Sequence, residues 1–347
     1  MSRTLEIPTV YFYCPSRELI ESVPGNVKDY WPWINAAIAL YPIRLPSGDV
    51  CDWDGPYSWT VQTWMHLRDH GFRCQLVSEI PTDGVILAHS DFWPRDLRPT
   101  ATQLFVEIKP DRQKAQHHAQ FTLVQSSHDP IFSSSLAKQG RVAAIRSWPQ
   151  PGLIRRDPRR LASVEHAAFL GNTESFLAAV SDLREGLQRV GIDFTMPPRA
   201  LWHDYSQVDL VIAVRDASTF SAAGAAHTSV ARKPANKLTN AWLAEVPAIL
   251  SAEPSYLDVR LSADDFIAAT NIDDIVNAAY NLKVDSELYR QMVENSRIRG
   301  AAFGVSGVLT QWIDMIERRF IPAYQAWRGS KSRRLRYFVN DRFRRVI

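Results

Sequence analysis

Short apolar, β-branched runs alternate with helix-spaced patterns along most of this 347-residue chain, and one stretch rich in proline and arginine interrupts the alternation. A strand, a helix and a further strand close most readily as a right-handed parallel unit, so the pattern calls for parallel sheets covered by helices. The first series starts with "TVYFYCP" (Thr9–Pro15). In "DGPYSWTVQTWMHLRDHGFRCQLVSE", Ser58 is the expected N-cap of a helix whose apolar face holds Val61, Trp64, Met65 and Leu67; Gly71 stops it before a second strand. "GVILAHSDF", "QLFVEIK" and "FTLVQSS" follow as buried strands. The interruption, "SWPQPGLIRRDPRRLASVEH", reads as a linker. The series then restarts with strand "HAAFLG", a helix from Glu174 to Val190, and strands in "DFTM" and "VDLVIAVR". "ARKPANKLTNAWLAEVPAILS" (Ala231–Ser251) adds a helix and a strand, and helices near Asp273–Leu282, Ser286–Arg297 and Val305–Trp327 close the chain.

A chain of this length exceeds what one core usually holds. The reading is two Rossmann-like domains, residues 1–155 and 156–315, followed by a C-terminal helix and basic aromatic tail, 316–347. Cys14, Cys51 and Cys74 are odd in number and lack metal-ligand spacing, which fits a reducing cytoplasm. The first residues show no apolar signal-peptide core, and no stretch approaches the roughly 20 apolar residues of a membrane span. From Arg318 onward the tail holds ten basic residues against Asp341, so the rest of a chain of net charge +3 is at −6. The tail's aromatics interleave with its arginines. This suits either a peripheral contact with an anionic membrane on its inner face or packing against the first domain. With no recognised nucleic-acid motif and an acidic remainder, nucleic acid is not an expected partner.

One stretch carries a resemblance. "NAWLAEVPAILS" (Asn240–Ser251) resembles the donor-site helix and strand of GT-B glycosyltransferases, commonly Glu-Ala-x-Ala-x-Gly-x-Pro-Val-Ile in that family. "DGPYSWTVQTWMHLRDHGFRCQLVSE" is similar to the N-terminal helix and strand of the same fold. "VEHAAFLGN" resembles the first strand of its C-terminal domain. The resemblance implies an α/β fold of two Rossmann-like domains facing a cleft. It also implies transfer of a sugar from a nucleotide-sugar donor to a hydroxyl acceptor, a saccharide or glycolipid in surface polysaccharide or glycolipid synthesis. Neither a cofactor nor a metal is expected. Where many retaining members have two glutamates eight positions apart, this chain has Arg232 and Asn240, and "KPANKL" resembles a stretch of fucosyltransferase-like members.

The leaving diphosphate of such a donor gathers negative charge that helix N-terminal amides and basic side chains can stabilise. Lys233 and Lys237, four apart, would then face one anion, with Asn236 and Asn240 on nearly the same face and Pro234 in the first turn. Gly171 and Asn172 would bring backbone amides to the phosphate. Arg215 and Asp216 follow a strand at its ligand-binding end, and residues 217–232 read as a loop over the donor. On the acceptor side, His89 is the first candidate general base and Asp54 the second, with Asp91 and Arg95 in the His89 loop. Asp52 and Asp54 form an Asp-x-Asp that precedes a turn and so is not taken as a metal site. His66 and His70 read as surface and boundary residues, and His117 and His118 as linker. A sugar-nucleotide epimerase of the same fold and a non-catalytic nucleotide-binding scaffold remain as alternatives.

Overall fold

The computed structural model describes residues 7–94, 97–116, 118–172, 176, 179–215 and 229–344. Arg95, His117, Asp216, residues 217–228 of the expected loop and the expected helix start at Glu174 lie outside the described residues. By contacts the chain divides into a first unit of Met1–Gln125, Ile131–Trp148 and Val308–Ile347, and a second of Ser126–Pro130 and Pro149–Gly307.

The first unit is built on a six-stranded parallel sheet. Its strands are β1 (Val10–Tyr13), β2 (Cys74–Val77), β3 (Gly84–His89), β4 (Gln103–Ile108), β5 (Phe121–Val124) and β6 (Val142–Ala144), in the order β2-β1-β3-β4-β5-β6. All residues of β3 and β4 are buried, as continuous apolar runs covered on both faces should be. Helix α1 (Tyr30–Leu40) buries Trp31, Ile34 and Ile38. Before helix α2 (Thr63–Asp69) the chain is already helical from Gly55, with Pro56 in the first turn and a π-turn over Ser58–Gln62. Ser58 is therefore inside the helix and does not cap it; its amide donates to the Asp54 carbonyl at 2.8 Å. Gly71, at φ +83°, ends the helix as expected. His66 is a boundary residue, half-buried: it stacks on Trp148 at 4.1 Å, and burial pushes its pKa down to about 4.

The second unit holds a five-stranded parallel sheet of β7 (His166–Ala168), β8 (Asp193–Thr195), β9 (Leu210–Ala213), β10 (Ala248–Leu250) and β11 (Ile267–Ala268), ordered β8-β7-β9-β10-β11. Helices α3 (Val180–Arg189), α4 (Asn236–Ala244), α5 (Pro254–Val259), α6 (Ile272–Val284) and α7 (Ser286–Phe303) accompany it. A Cβ at Gly300 would lie 2.8 Å from the Trp242 carbonyl oxygen, so glycine is what lets α7 close on α4. The segment read as a linker is instead tied down by Asp209, which is fully buried. Arg156 and Arg160 both grip this carboxylate, and the amides of Glu165 and His166 donate to it at 2.9 Å.

The C-terminal segment packs through its apolar residues as their spacing implies, and departs from expectation in where the unit boundary falls. Helix α8 (Val305–Met315) runs through a π-turn at Ile316–Phe320 into α9 (Ile321–Gly329). Val308, Trp312, Ile316, Phe320, Tyr324 and Trp327 are at most 3 % exposed and complete the first unit's core with Phe12, Trp59, Leu87 and Val106. A strict four-residue spacing drifts by about 40° per step on an α-helix, and the wide turn takes up that drift. It also lets the helix run on past Pro322. The core boundary thus falls at 307/308, where the sequence reading had 315/316, and the second unit resumes at 149, where it had 156. Helix α10 (Lys331–Arg344) is not wholly detached from the fold: the Tyr337 hydroxyl donates to the His118 carbonyl at 2.7 Å, and the Arg141 guanidinium lies 4.9 Å from its ring.

Candidate functional site

In the second unit, β7 is the first strand of its sheet, and successive strands are laid on either side of it, β8 on one and β9 on the other. The order reverses between β7 and β9, and beyond the carboxyl ends of such a pair the backbone leaves room for a ligand. Gly171 lies three residues past β7 and Arg215 two past β9. Helix α4 directs its N-terminus to the same place. A Cβ on Gly171 would sit 2.8 Å from Lys237 Cε and 3.3 Å from its Nζ, so the lysine lies directly on the glycine. Its ammonium is 5.3 Å from the Phe169 ring centroid. The N-cap residue of α4, Ala235, makes no side-chain cap hydrogen bond. The N-terminus of a helix is a favourable place for an anion.

The position of Lys237 sets its charge. Burial, together with Arg215 and Lys233, lowers its pKa to about 8, against the opposing pull of Glu253. Arg215 donates from Nε to Glu253 Oε1 at 2.7 Å, and its amide donates to Ser251 Oγ at 2.7 Å. Three cations thus gather around one point, with one carboxylate behind them.

Other expected donor residues fall less neatly. The helix starts at Asn236, so Lys233 and Pro234 precede it. The Lys233 amide bonds to the Val230 carbonyl in the approaching turn, and its field reaches Lys237 without helical spacing. Asn236 opens the helix and is partly buried; Asn172 is exposed beside Gly171. Asn240 is engaged in part elsewhere. Its carboxamide oxygen accepts the Gln150 amide at 3.0 Å, which fixes the approach to the sheet and leaves the Nδ2 group as the one that could donate to an anion. Glu245 occupies the position of glycine in the family pattern and adopts the glycine-like φ of +61°.

At the carboxyl edge of the first unit's sheet, His89 ends β3 and is 2 % exposed. Its Nδ1 accepts the Asp91 amide at 3.1 Å, and burial lowers its pKa to about 4. The ring is therefore neutral at pH 7 with its proton on Nε2: a donor whose lone pair is already engaged. This corrects the choice of His89 as general base. Asp91 is held bidentately by Arg112, whose guanidinium also lies 5.4 Å from the Trp53 ring. Asp54 is partly buried on the Trp53 loop, and Asp52 is exposed. Among the described residues no group of three His, Cys, Asp or Glu side chains is placed to hold a metal ion. His118 is buried below the tail and its neighbour Tyr337, and His70 is exposed at the end of α2.

Three features escaped the sequence reading. Arg112 and Glu107 give no pattern by spacing. Glu107 accepts from Ser90 and Thr122 in the middle of the sheet, and its burial raises its pKa to about 7. Glu253 lies just past the quoted stretch, where "AEP" looks like a plain helix start.

No protein-family model matches the sequence, and no similar curated protein was found. The fold is similar to that of AviGT4, a glycosyltransferase involved in avilamycin A biosynthesis, at 13 % identity over 92 % of this chain and 99 % of that one, TM-score 0.52. It is also similar to Anabaena Alr3699/HepE in complex with UDP-glucose, at 10 % identity over 90 % and 100 %, TM-score 0.50. Against TarM the chain spans 58 % of that protein's length, at 9 % identity and TM-score 0.46. The first two likenesses show the fold: α/β, with two Rossmann-like units, as in GT-B glycosyltransferases.

Proposed function

We propose that the chain is a nucleotide-sugar-dependent glycosyltransferase, and the observation that carries this reading is Lys237 laid over Gly171 where the order of the second sheet reverses. AviGT4 and HepE, which share the fold, are a glycosyltransferase and a protein that binds UDP-glucose. In the reaction an acceptor hydroxyl oxygen bonds to the anomeric carbon as the bond from that carbon to the diphosphate oxygen breaks. The charge left on the diphosphate meets Lys237, Arg215, Lys233 and the first amides of α4, with Asn236 and the Gly171–Asn172 turn beside them. These cations take the place a metal would fill, so activity should persist in EDTA; full loss, restored by manganese, refutes that. A hydrolysis screen with UDP-, GDP-, ADP- and CMP-sugars tests the reading: donor-dependent turnover supports it. Sugar interconversion would indicate an epimerase, and binding without turnover a scaffold.

The acceptor hydroxyl needs a base, and with His89 engaged we assign that role to Asp54. Asp54→Asn should lower turnover by about 10²–10⁴-fold with UDP affinity unchanged, while His89→Asn should stay within roughly tenfold of the parent. The reverse ranking restores His89.

The acceptor context is a membrane surface bearing a growing saccharide or glycolipid, contacted through α10. Among the described residues no helix is long and apolar enough to cross a membrane. On the face of α10 away from Tyr337, Leu335 and Val339 are 67 % and 44 % exposed, near the exposed Lys331 and Arg336. Apolar residues flanked by cations suit an anionic interface. Removing both charges, Lys331→Gln with Arg336→Gln, should weaken binding to phosphatidylserine vesicles at low salt by roughly 30-fold, at about 1 kcal/mol per charge. Equal co-sedimentation of parent and variant rejects the contact.

A further inference from the structure

Glu253 is in contact with the anion site but cannot be a ligand for an anion. It follows β10 at the N-cap position of α5 and is 1 % exposed. Oε1 accepts from Arg215, whereas Oε2 is buried with no hydrogen-bond partner. Burying a carboxylate with an unsatisfied oxygen costs free energy that some other interaction must offset. Among the described residues, the charged groups acting on Lys237 come from separate elements: Arg215 from the end of β9, Lys233 from the turn before α4, and Glu253 itself. A buried lysine flanked by basic groups suits a diphosphate.

We propose that Glu253 is a positioning residue for a diphosphate-bearing donor: its buried carboxylate fixes the Arg215 guanidinium and supplies the countercharge that keeps the Lys237 ammonium protonated beside two other cations. The identity of the ligand rests on the glycosyltransferase reading; the charge arrangement does not. Without Glu253, burial and two like charges all act against the charged amine. With it, Lys237 titrates near pH 8 and is charged at neutral pH. Glu253 thus acts on an anion through two other side chains and gains nothing from touching it.

The test follows the Lys237 side-chain signal by NMR in protein labelled with ¹³C,¹⁵N-lysine, assigned with Lys237→Arg. In the parent the midpoint should lie near pH 8. Glu253→Gln should lower it by at least about one pH unit, Glu253→Asp should keep it near the parent, and Arg215→Gln should raise it. Alongside, a one-unit shift should make the UDP affinity of Glu253→Gln fall roughly threefold at pH 7.5 and recover towards the parent at pH 6. An unmoved midpoint in folded Glu253→Gln overturns the proposal, as does an affinity loss independent of pH. Should that variant not fold, the sign of the Arg215→Gln shift decides, and a downward shift overturns it. If the parent binds no UDP at any pH, the transferase reading falls while the lysine titration still judges Glu253.

Discussion

Asp209→Ala should destabilise the protein by about 3–5 kcal/mol, the range for breaking a buried ion pair from one side. Two guanidinium groups, 6 % and 16 % exposed, and two backbone amides would lose their shared acceptor at once. A domain is usually stable by only about 5–15 kcal/mol, so the urea midpoint should drop steeply or the second unit should not fold. Burial alone would raise the pKa of this carboxyl, but the bonds from Arg160, the two amides and Arg156 outweigh it and hold it below the usual carboxylate value. This stabilisation is therefore present above the unfolded-state pKa and is lost as pH falls through the lower folded one. A loss below 1 kcal/mol at pH 7 would show that the arginines find other partners.

Lys237→Met should have two opposite effects. UDP affinity, measured by calorimetry at pH 7, should fall roughly 10- to 150-fold, as expected for one charge-assisted contact of about 1.5–3 kcal/mol. The ligand-free protein should become more stable, by about 1–3 kcal/mol, because the fold now disfavours the charged lysine. The folded pKa near 8 lies below the ordinary lysine value, so between the two the unfolded chain binds more protons and parent stability rises with pH. The stability gap to the variant should accordingly close above pH 8, the same range in which the parent loses UDP affinity. Unchanged UDP binding in folded Lys237→Met would remove this lysine from the donor site.

What the sequence disclosed follows the reach of each signal. Apolar runs and turn residues marked nine of the eleven described strands of the two parallel sheets, because burial on two faces leaves a continuous apolar run such as "GVILAH". β6 and β11, three and two residues long, are too short to give that signal. Lys237 was legible since it stands at a helix start ahead of a family-like stretch, and Gly171 since it closely follows a strand. Asn240 shows the limit of helical spacing, which tells which residues share a face but not that a distant amide, that of Gln150, donates to the carboxamide oxygen. His89 misled for a related reason: its place at a strand end was right, but its lone pair was already committed two residues away. Arg156 and Arg160 resembled linker arginines because the partner that buries them lies some fifty positions on. Glu253 and Asp209 share this limitation, as isolated carboxylates that acquire meaning only from contacts distant in sequence.

The return of residues 308–327 to the first unit has a consequence for the order of synthesis. The second unit's main segment, Pro149–Gly307, emerges from the ribosome unbroken, whereas the first unit lacks Trp312, Phe320 and Trp327 until that segment has been made. Of the two units, the one begun first is therefore finished after the other. Its sheet must wait with an uncovered apolar face while its neighbour closes, which makes that interval the stretch of biogenesis most exposed to aggregation and to chaperone capture.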